Sequence, residues 1–290
     1  MELTKKNIDL LIKNFSLLKQ KNTIAQKNLT KFDGKNKTDA LYLSFINSEN
    51  QHYITFLNYI VKQIKPKNIV ELGNREGLST IALYDAAKEV GSDFYSIDIE
   101  EDQRYCPPQM FNDSQMHFLF GDVCSLEIIN KLPKSIDLLF TDTLHFDFQL
   151  RDEWEIYQHL LSDKALVAID DINIHDKRKL FDELNFEKWD LTELCHANGW
   201  GLFLFIRKEA ISQEEQEKRI STAIIQVWER KYEALFKHVE STKEKQLLSK
   251  LKKILKKVKP AYYMYTYIFN ILNLKINQGK VMTYSRSIRA

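Results

Sequence analysis

The chain has 290 residues, 44% of them hydrophobic and 28% charged, which is enough apolar material for a packed core and excludes global disorder. A formal net charge of +2 argues against a general polyanion binder, so no nucleic-acid partner is expected. No stretch approaches the roughly 20 apolar residues of a membrane span, Met1–Lys6 has no signal-type apolar region, and the widely spaced Cys106, Cys124 and Cys195 read as free thiols of a reducing cytoplasm.

Residues 4–30 place Ile8, Leu11, Ile12, Phe15 and Leu18 at helical spacing and read as a packing cap. Residues 31–37 form a polar loop around Gly34. A second helical region, 38–64, carries Leu41, Leu43, Phe45, Tyr53, Phe56, Leu57, Ile60 and Val61. A packing cap and a lid over a site are equally open for it. Asn68–Leu72, short and mostly apolar after Pro66, suits a central parallel strand. Gly73 and Gly77 allow a tight turn and the close approach of a ligand, and Ser79 and Thr80 lead into a helix over 81–90. A strand that feeds a helix N-terminus through such a turn is a binding place in open α/β sheets. The competing reading is an ordinary turn without a ligand. The spacing Glu71-x-Gly73-x-x-x-Gly77 fits neither the dinucleotide pattern G-x-G-x-x-G nor the P-loop.

The second strand, 93–99, carries Asp98 near its end. An acid about 20 residues past a glycine turn can accept from both hydroxyls of a ribose; a solvated turn acid is the alternative. Pro107 and Pro108 interrupt regular structure. A third strand, 117–122, ends in Gly121-Asp122, and a helix follows over 125–132. The strand 135–142 ends at Asp142, with His145 three residues on, before a helix over 149–161. The strand 165–173 ends around Asp170 and Asp171, and a helix follows over about 177–184. Strands at 189–194 and 201–206 are joined by a hairpin-like turn at Asn198-Gly199-Trp200-Gly201. The alternation predicts an α/β open sheet, mostly parallel with one antiparallel strand. Three regions follow: a helical cap (1–64), the α/β domain (65–208) and a basic helical extension (209–290).

In the extension, Ile220, Ala223, Ile224, Val227, Trp228, Tyr232, Leu235 and Phe236 form an apolar stripe suited to docking on the core or on a second copy of the chain. From 243 to 259 the lysines surround Leu247, Leu248, Leu251, Ile254, Leu255 and Val258, and Pro260 ends that helix. Tyr262, Tyr263, Tyr265, Tyr267 and Phe269 follow. The stretch 243–276 reads either as an interfacial membrane anchor, holding the protein at the inner face of the membrane, or as a lysine-rich solvated face over a packed stripe.

Glu71-x-Gly73-x-x-x-Gly77 resembles the Glu-x-Gly-x-Gly-x-Gly motif of class I S-adenosylmethionine (SAM)-dependent methyltransferases, with Arg75 in place of the middle glycine. From Val61 to Lys208 the chain resembles small-molecule and sugar O-methyltransferases, most closely the macrocin O-methyltransferase and cephalosporin-hydroxylase-like branch. The resemblance rests on Asp137–His145 and Val167–Asp171. That branch reads Asp-Gly-Asp-His where this chain has Asp142-Thr143-Leu144-His145, so one acid is missing, and its first motif can carry an Arg at the place of Arg75. The resemblance implies a Rossmann-like fold and SAM as cofactor, held by Glu71, Gly73, Asn74, Arg75, Gly77, Ser79, Asp98 and, beside the adenine amino group, Asp122. It implies O-methylation of a sugar, a glycan or another small hydroxylated acceptor.

Methyl transfer from a sulfonium requires donor and acceptor near contact and removal of the acceptor's proton. A divalent metal assists by lowering the hydroxyl's pKa, and hard cations take oxygen ligands. Asp142, Asp170 and Asp171, with Asn173 as a further donor, are candidates to hold Mg2+. Helix-capping or solvated strand-end acids are an equal reading. Strand alternation points Asp170 and Asp171 in different directions. His145 is the leading base candidate, ahead of His175 and His196. Two other classes stay open: an NAD(P)-dependent oxidoreductase, which would share the glycine turn and strand-end acid, and a catalytically silent methyltransferase-like binding protein.

Overall fold

β1 (Asn68–Leu72) is buried at all its positions, as a strand flanked on both sides and covered on both faces must be. The computed structural model describes residues 1–20, 52–101, 103 and 105–241. The expected continuation of the first helix to 30, the loop 31–37, the start of the second helix, the tail 243–276 and the side chains of Tyr232, Leu235 and Phe236 lie outside the described residues. The chain divides into two compact units, Met1–Val227 and Trp228–Ala290.

In the first unit, α1 (Lys5–Gln20) and α2 (His52–Ile64) precede β1, and α3 (Leu78–Val90) follows it. Then come β2 (Asp93–Asp98), a 3-10 turn over Pro108–Asn112, β3 (Met116–Phe120), α4 (Leu126–Ile129), β4 (Ile136–Thr141), α5 (Asp147–Tyr157) and β5 (Leu161–Asp170). The chain continues through α6 (Arg178–Glu183), β6 (Glu187–Asp190), α7 (Thr192–Cys195), β7 (Trp200–Ile206) and α8 (Gln213–Ser241). The sheet order is β3-β2-β1-β4-β5-β7-β6. β1, β2, β3, β4 and β5 pair in parallel, and β7 runs antiparallel to both its neighbours. The expected open sheet with one reversed strand is what forms. The strand order reverses between β1 and β4, and open sheets bind ligands in that crevice, beyond the carboxyl ends of the strands.

Period-2 alternation sorts the side chains between the two faces. Ile69, Phe94, Leu138, Phe140, Leu166, Ala168, Trp200 and Leu202 meet α1, α2 and α3 on one face. Val70, Leu72, Ile97, Leu139, Val167, Ile169 and Phe203 meet α5, α6 and the start of α8 on the other. Phe15 of α1 meets Phe56 of α2 edge-on at 4.8 Å between ring centroids, and Trp189 donates to Asp9 at 2.7 Å. Among the described residues, no helix is long and apolar enough to cross a membrane.

Several expected boundaries move. α5 stops at Tyr157 and β5 starts at Leu161, because Leu161 pairs with Ile136 and Lys164 with Ile206, extending the strand through an exposed polar segment. β5 ends at Asp170, since Asp171 turns left-handed at φ 55°. The strand expected over 189–194 is β6, ending at Asp190, and the next residues turn into α7. Asp190 Oδ1 accepts from the Thr192 amide at 3.0 Å and from its hydroxyl, satisfying donors at the start of that turn.

Gly73 joins β1 to the crevice. It has φ 84°, and a Cβ there would lie 2.2 Å from the Asp142 carbonyl oxygen. The two strand ends meet backbone to backbone, with the Asp142 amide donating to Leu72 O at 2.7 Å. Gly73→Ala is expected to destabilise the chain by about 3 kcal/mol or more in denaturant unfolding, adding a clash to an unfavourable φ. Gly91→Ala, with φ 77° and no atom within 4 Å of its Cβ, should cost only about 1 kcal/mol. Equal losses for the two would show that the approach at Gly73 is not tight.

Candidate functional site

The loop after β1 is braced from beneath by a buried polar chain. Glu71, wholly buried in β1, accepts from Ser79 Oγ (2.6 Å), Thr80 Oγ1 (2.7 Å) and Ser96 Oγ (2.6 Å). Burial pushes its carboxyl up to about 7 despite those hydroxyls. Asn74 donates through Nδ2 to Ser96 Oγ (2.9 Å), and its Oδ1 accepts from Gln103 Nε2 (3.1 Å). Gln103 also reaches Glu100 O at 3.0 Å, tying the loop after β2 to the loop after β1. The side chains of Glu71, Asn74 and Ser79, expected to touch a cofactor, are turned inward onto buried partners: Ser79 onto Glu71, and Asn74 onto Ser96 and Gln103. Their geometry is that of supports for the loop.

The loop itself alternates left-handed residues: Gly73 (φ 84°), Arg75 (φ 45°) and Gly77 (φ 94°). Gly77 precedes α3 without a side-chain cap, and a Cβ on it would lie 2.4 Å from Cys106 Sγ. Burial raises the Cys106 thiol pKa, so it stays protonated and packs as a small apolar group. Arg75 is exposed and pairs with Glu76 at 3.0 Å.

Asp98 stands at the end of β2, half-buried beside this loop. Its Oδ2 accepts from the Asn74 amide (2.9 Å) and the Arg75 amide (2.7 Å), and its Oδ1 from the Glu100 amide (3.0 Å). An ionised carboxylate has about four acceptor sites, so Asp98 holds the loop and keeps acceptor capacity. Asp122, after β3, caps its own turn by accepting from the Cys124 amide at 2.9 Å.

Beside the loop, across the switch point, lies an acid and imidazole cluster. His145 Nε2 is 3.1 Å from Asp171 Oδ2 and 3.6 Å from Asp142 Oδ1. His196 Nδ1 is 3.2 Å from Asp170 Oδ1 and 3.3 Å from Asp171 Oδ1. Strand alternation would have sent Asp170 and Asp171 apart. The left-handed turn at Asp171 instead brings both carboxylates onto one imidazole. Asn173, an expected further ligand, faces elsewhere: it accepts from Arg178 (2.6 Å) and approaches Thr192 (3.4 Å). His175 stacks on Phe146 at 4.8 Å.

Burial and the Asp142 charge push the Asp170 carboxyl up to about 7. Burial disfavours the charged form of Asp171, but His196, His145 and Lys177 hold it below its usual range. Burial likewise works against a charged His196, yet Asp170 and Asp171 outweigh it and raise its pKa to about 10. The hydrogen bond to Asp142 raises His145, with burial opposing.

Several members of the site escaped sequence reasoning. Lys177, wholly buried, donates to Asp170 O at 2.7 Å. Tyr53 of α2 sits 5.3 Å from the His196 ring, so α2 lies against the cluster and not only against the sheet. Burial and the charge of Asp170 raise the Tyr53 phenol pKa. Glu153 accepts from Thr141, Thr143 and Gln149, fixing the start of the loop that carries Asp142 and His145. A polar residue within an otherwise apolar periodic stripe was the available signal for Glu153 and Lys177.

Two overlapping groups have metal-ligand spacing, Asp142–His145–Asp171 and Asp170–Asp171–His196, each with its donor atoms within 4.8 Å of one another. Asp171 Oδ1 is buried and faces the His196 ring at 3.3 Å without full hydrogen-bond geometry. Acceptor capacity remains on this carboxylate among further acids, so the donor set fits a divalent ion.

A family model described as a methyltransferase domain matches residues 70–172, from within β1 to just past Asp171. No curated protein matches the chain. Among solved structures, a methyltransferase from Geobacter sulfurreducens is similar at 16% identity and TM-score 0.46, covering 61% of this chain and 92% of that one. An SAH-bound methyltransferase of Podospora anserina is similar at 13% identity and TM-score 0.43, covering 72% and 98%. The O-methyltransferase TomG of Streptomyces achromogenes, in complex with SAM, is similar at 14% identity and TM-score 0.43, covering 53% and 80%. Likenesses this distant carry no argument about chemistry.

Proposed function

We propose that this chain, whose residues 70–172 match a methyltransferase domain, is a SAM-dependent O-methyltransferase acting on a hydroxyl of a sugar, a glycan or another small acceptor. The observation that carries the reading is Asp98. It ends β2, grips two amides of the left-handed loop after β1, and retains acceptor capacity where the crevice opens. A ribose hydroxyl donating to the acceptor site that these amides leave on the carboxylate would lie over the loop. The acid and imidazole cluster stands across the same switch point, next to β1 in the sheet order.

SAM, held by Asp98 and the loop after β1, would supply an electrophilic methyl group to the acceptor oxygen and would leave as S-adenosylhomocysteine (SAH). His145 takes the acceptor's proton at a ring nitrogen, and Asp171 at 3.1 Å and Asp142 at 3.6 Å orient and stabilise the resulting imidazolium. Asp142, Asp170 and Asp171 would hold a divalent cation such as Mg2+, which supplies a Lewis acid to lower the hydroxyl's pKa. His196 and Lys177 balance the buried negative charge.

Calorimetry with SAM, SAH and NADH, each with and without Mg2+, tests the proposal. SAM and SAH are expected to bind at micromolar or tighter dissociation constants and NADH not to bind. NADH binding without SAM binding would transfer the site to the oxidoreductase class.

A further inference from the structure

The two loops that carry the acid and imidazole cluster also carry a group of near-parallel rings. Phe146 follows His145 directly, and its ring lies 5.5 Å from Phe148 at 18° and 4.8 Å from His175 at 12°. His175 comes from the other loop, four residues beyond Asp171. Phe148 is 59% exposed and Leu144 60%, and both lie within three residues of His145 along the chain.

The rings are held in place. The Asp147 amide donates to Asp176 Oδ1 (3.2 Å), and Asp147 Oδ1 accepts from the Leu180 amide (3.2 Å), so the loops are cross-linked from both sides. Arg151 Nε adds a bond to Asp147 Oδ2 at 2.5 Å. The loop after β5 adopts left-handed backbone at both Asp171 (φ 55°) and His175 (φ 50°). Neither is glycine. Strain of this kind persists where surrounding structure enforces it, and it gathers at binding sites. Here one left-handed residue sets the carboxylate beside His145, and the other accompanies the ring against Phe146.

We propose that Phe148, Phe146 and His175 form the acceptor shelf: they take the flat face of a ring whose edge carries adjacent hydroxyls. This rests on the methyltransferase reading and names its substrate class. An exposed aromatic face attracts another flat, weakly polar face beyond what the covered area alone supplies. Asp142 and Asp171 beside His145 offer neighbouring acceptors to two hydroxyls on one edge, and His145 takes the proton of one of them. A pyranose with a vicinal diol and a catechol share this chemistry. A long flexible alcohol does not.

The test uses the full-length protein with saturating SAH and Mg2+. Methyl α-D-galactopyranoside and 3,4-dihydroxybenzoate are titrated separately and followed by ligand-observed NMR. At least one probe is expected to bind, and the one that does identifies the source. Phe148→Ala should raise its dissociation constant at least fivefold, Phe148→Tyr should restore it to within twofold, and SAH affinity should stay unchanged in both. An SAH-binding protein that takes neither probe, or a Phe148→Ala variant that takes a probe as well as wild type, overturns the shelf. A wild-type chain that fails to bind SAH strikes the methyltransferase reading instead, and a probe response confined to Phe148 would survive that failure.

Discussion

Replacing Asp98 with alanine is expected to weaken SAM binding about 100-fold, a loss of about 2.7 kcal/mol, while the chain still folds. A hydrogen bond to an ionised group contributes about 1.5–3 kcal/mol, and the three amides leave Asp98 one acceptor site for a ribose hydroxyl. The same carboxylate holds the Asn74 and Arg75 amides, so the variant loosens the left-handed loop as well as removing the ligand's partner. Those amides lie near the surface and can turn to water, which keeps the stability cost to about 1–2 kcal/mol. Asp98→Asn retains one carbonyl oxygen and should fall between. Calorimetry for affinity and circular dichroism for unfolding separate the two effects. Affinity unchanged in a folded Asp98→Ala protein would remove Asp98 from the cofactor site, and with it the main support for the enzymatic reading.

The second large effect is expected at Asp171. It is the one residue shared by both candidate ligand groups, and it touches His145 through one oxygen and His196 through the other. Asp171→Asn keeps the shape and removes the charge. Methyl transfer should fall at least 1,000-fold, about 4 kcal/mol of transition-state stabilisation, with SAM affinity within twofold of wild type. The proposed donor site lies across the loop after β1, so a loss confined to turnover would assign Asp171 to the acceptor side. A parallel loss of SAM affinity would mean that the substitution disturbs the whole crevice. Full activity of the wild-type protein in excess chelator would retire the cation and leave His145, Asp142 and Asp171 to act as an acid-oriented base.

The amino-acid sequence by itself determined the order of strands and helices, the glycine turn after β1, and the strand-end acids Asp98, Asp142, Asp170 and Asp171. These are local matters: apolar runs, alternation, and glycines that release the backbone. The tertiary structure decided where those acids face and what answers them. The turn at Asp171 is a single left-handed dihedral that no periodicity announces, and it reverses the expectation that Asp170 and Asp171 diverge. His196 lies 26 residues from Asp170 along the chain. Placing β7 beside β5 brings it onto both carboxylates. Tyr53 joins the cluster from α2, far from Asp142 in sequence, and Lys177 from the loop after β5, seven residues beyond Asp170. Glu71 is enclosed by the hydroxyls of Ser79, Thr80 and Ser96, which reach it from α3 and β2. A buried polar group must find its partners wherever the fold supplies them, so its role is set by which strands become neighbours.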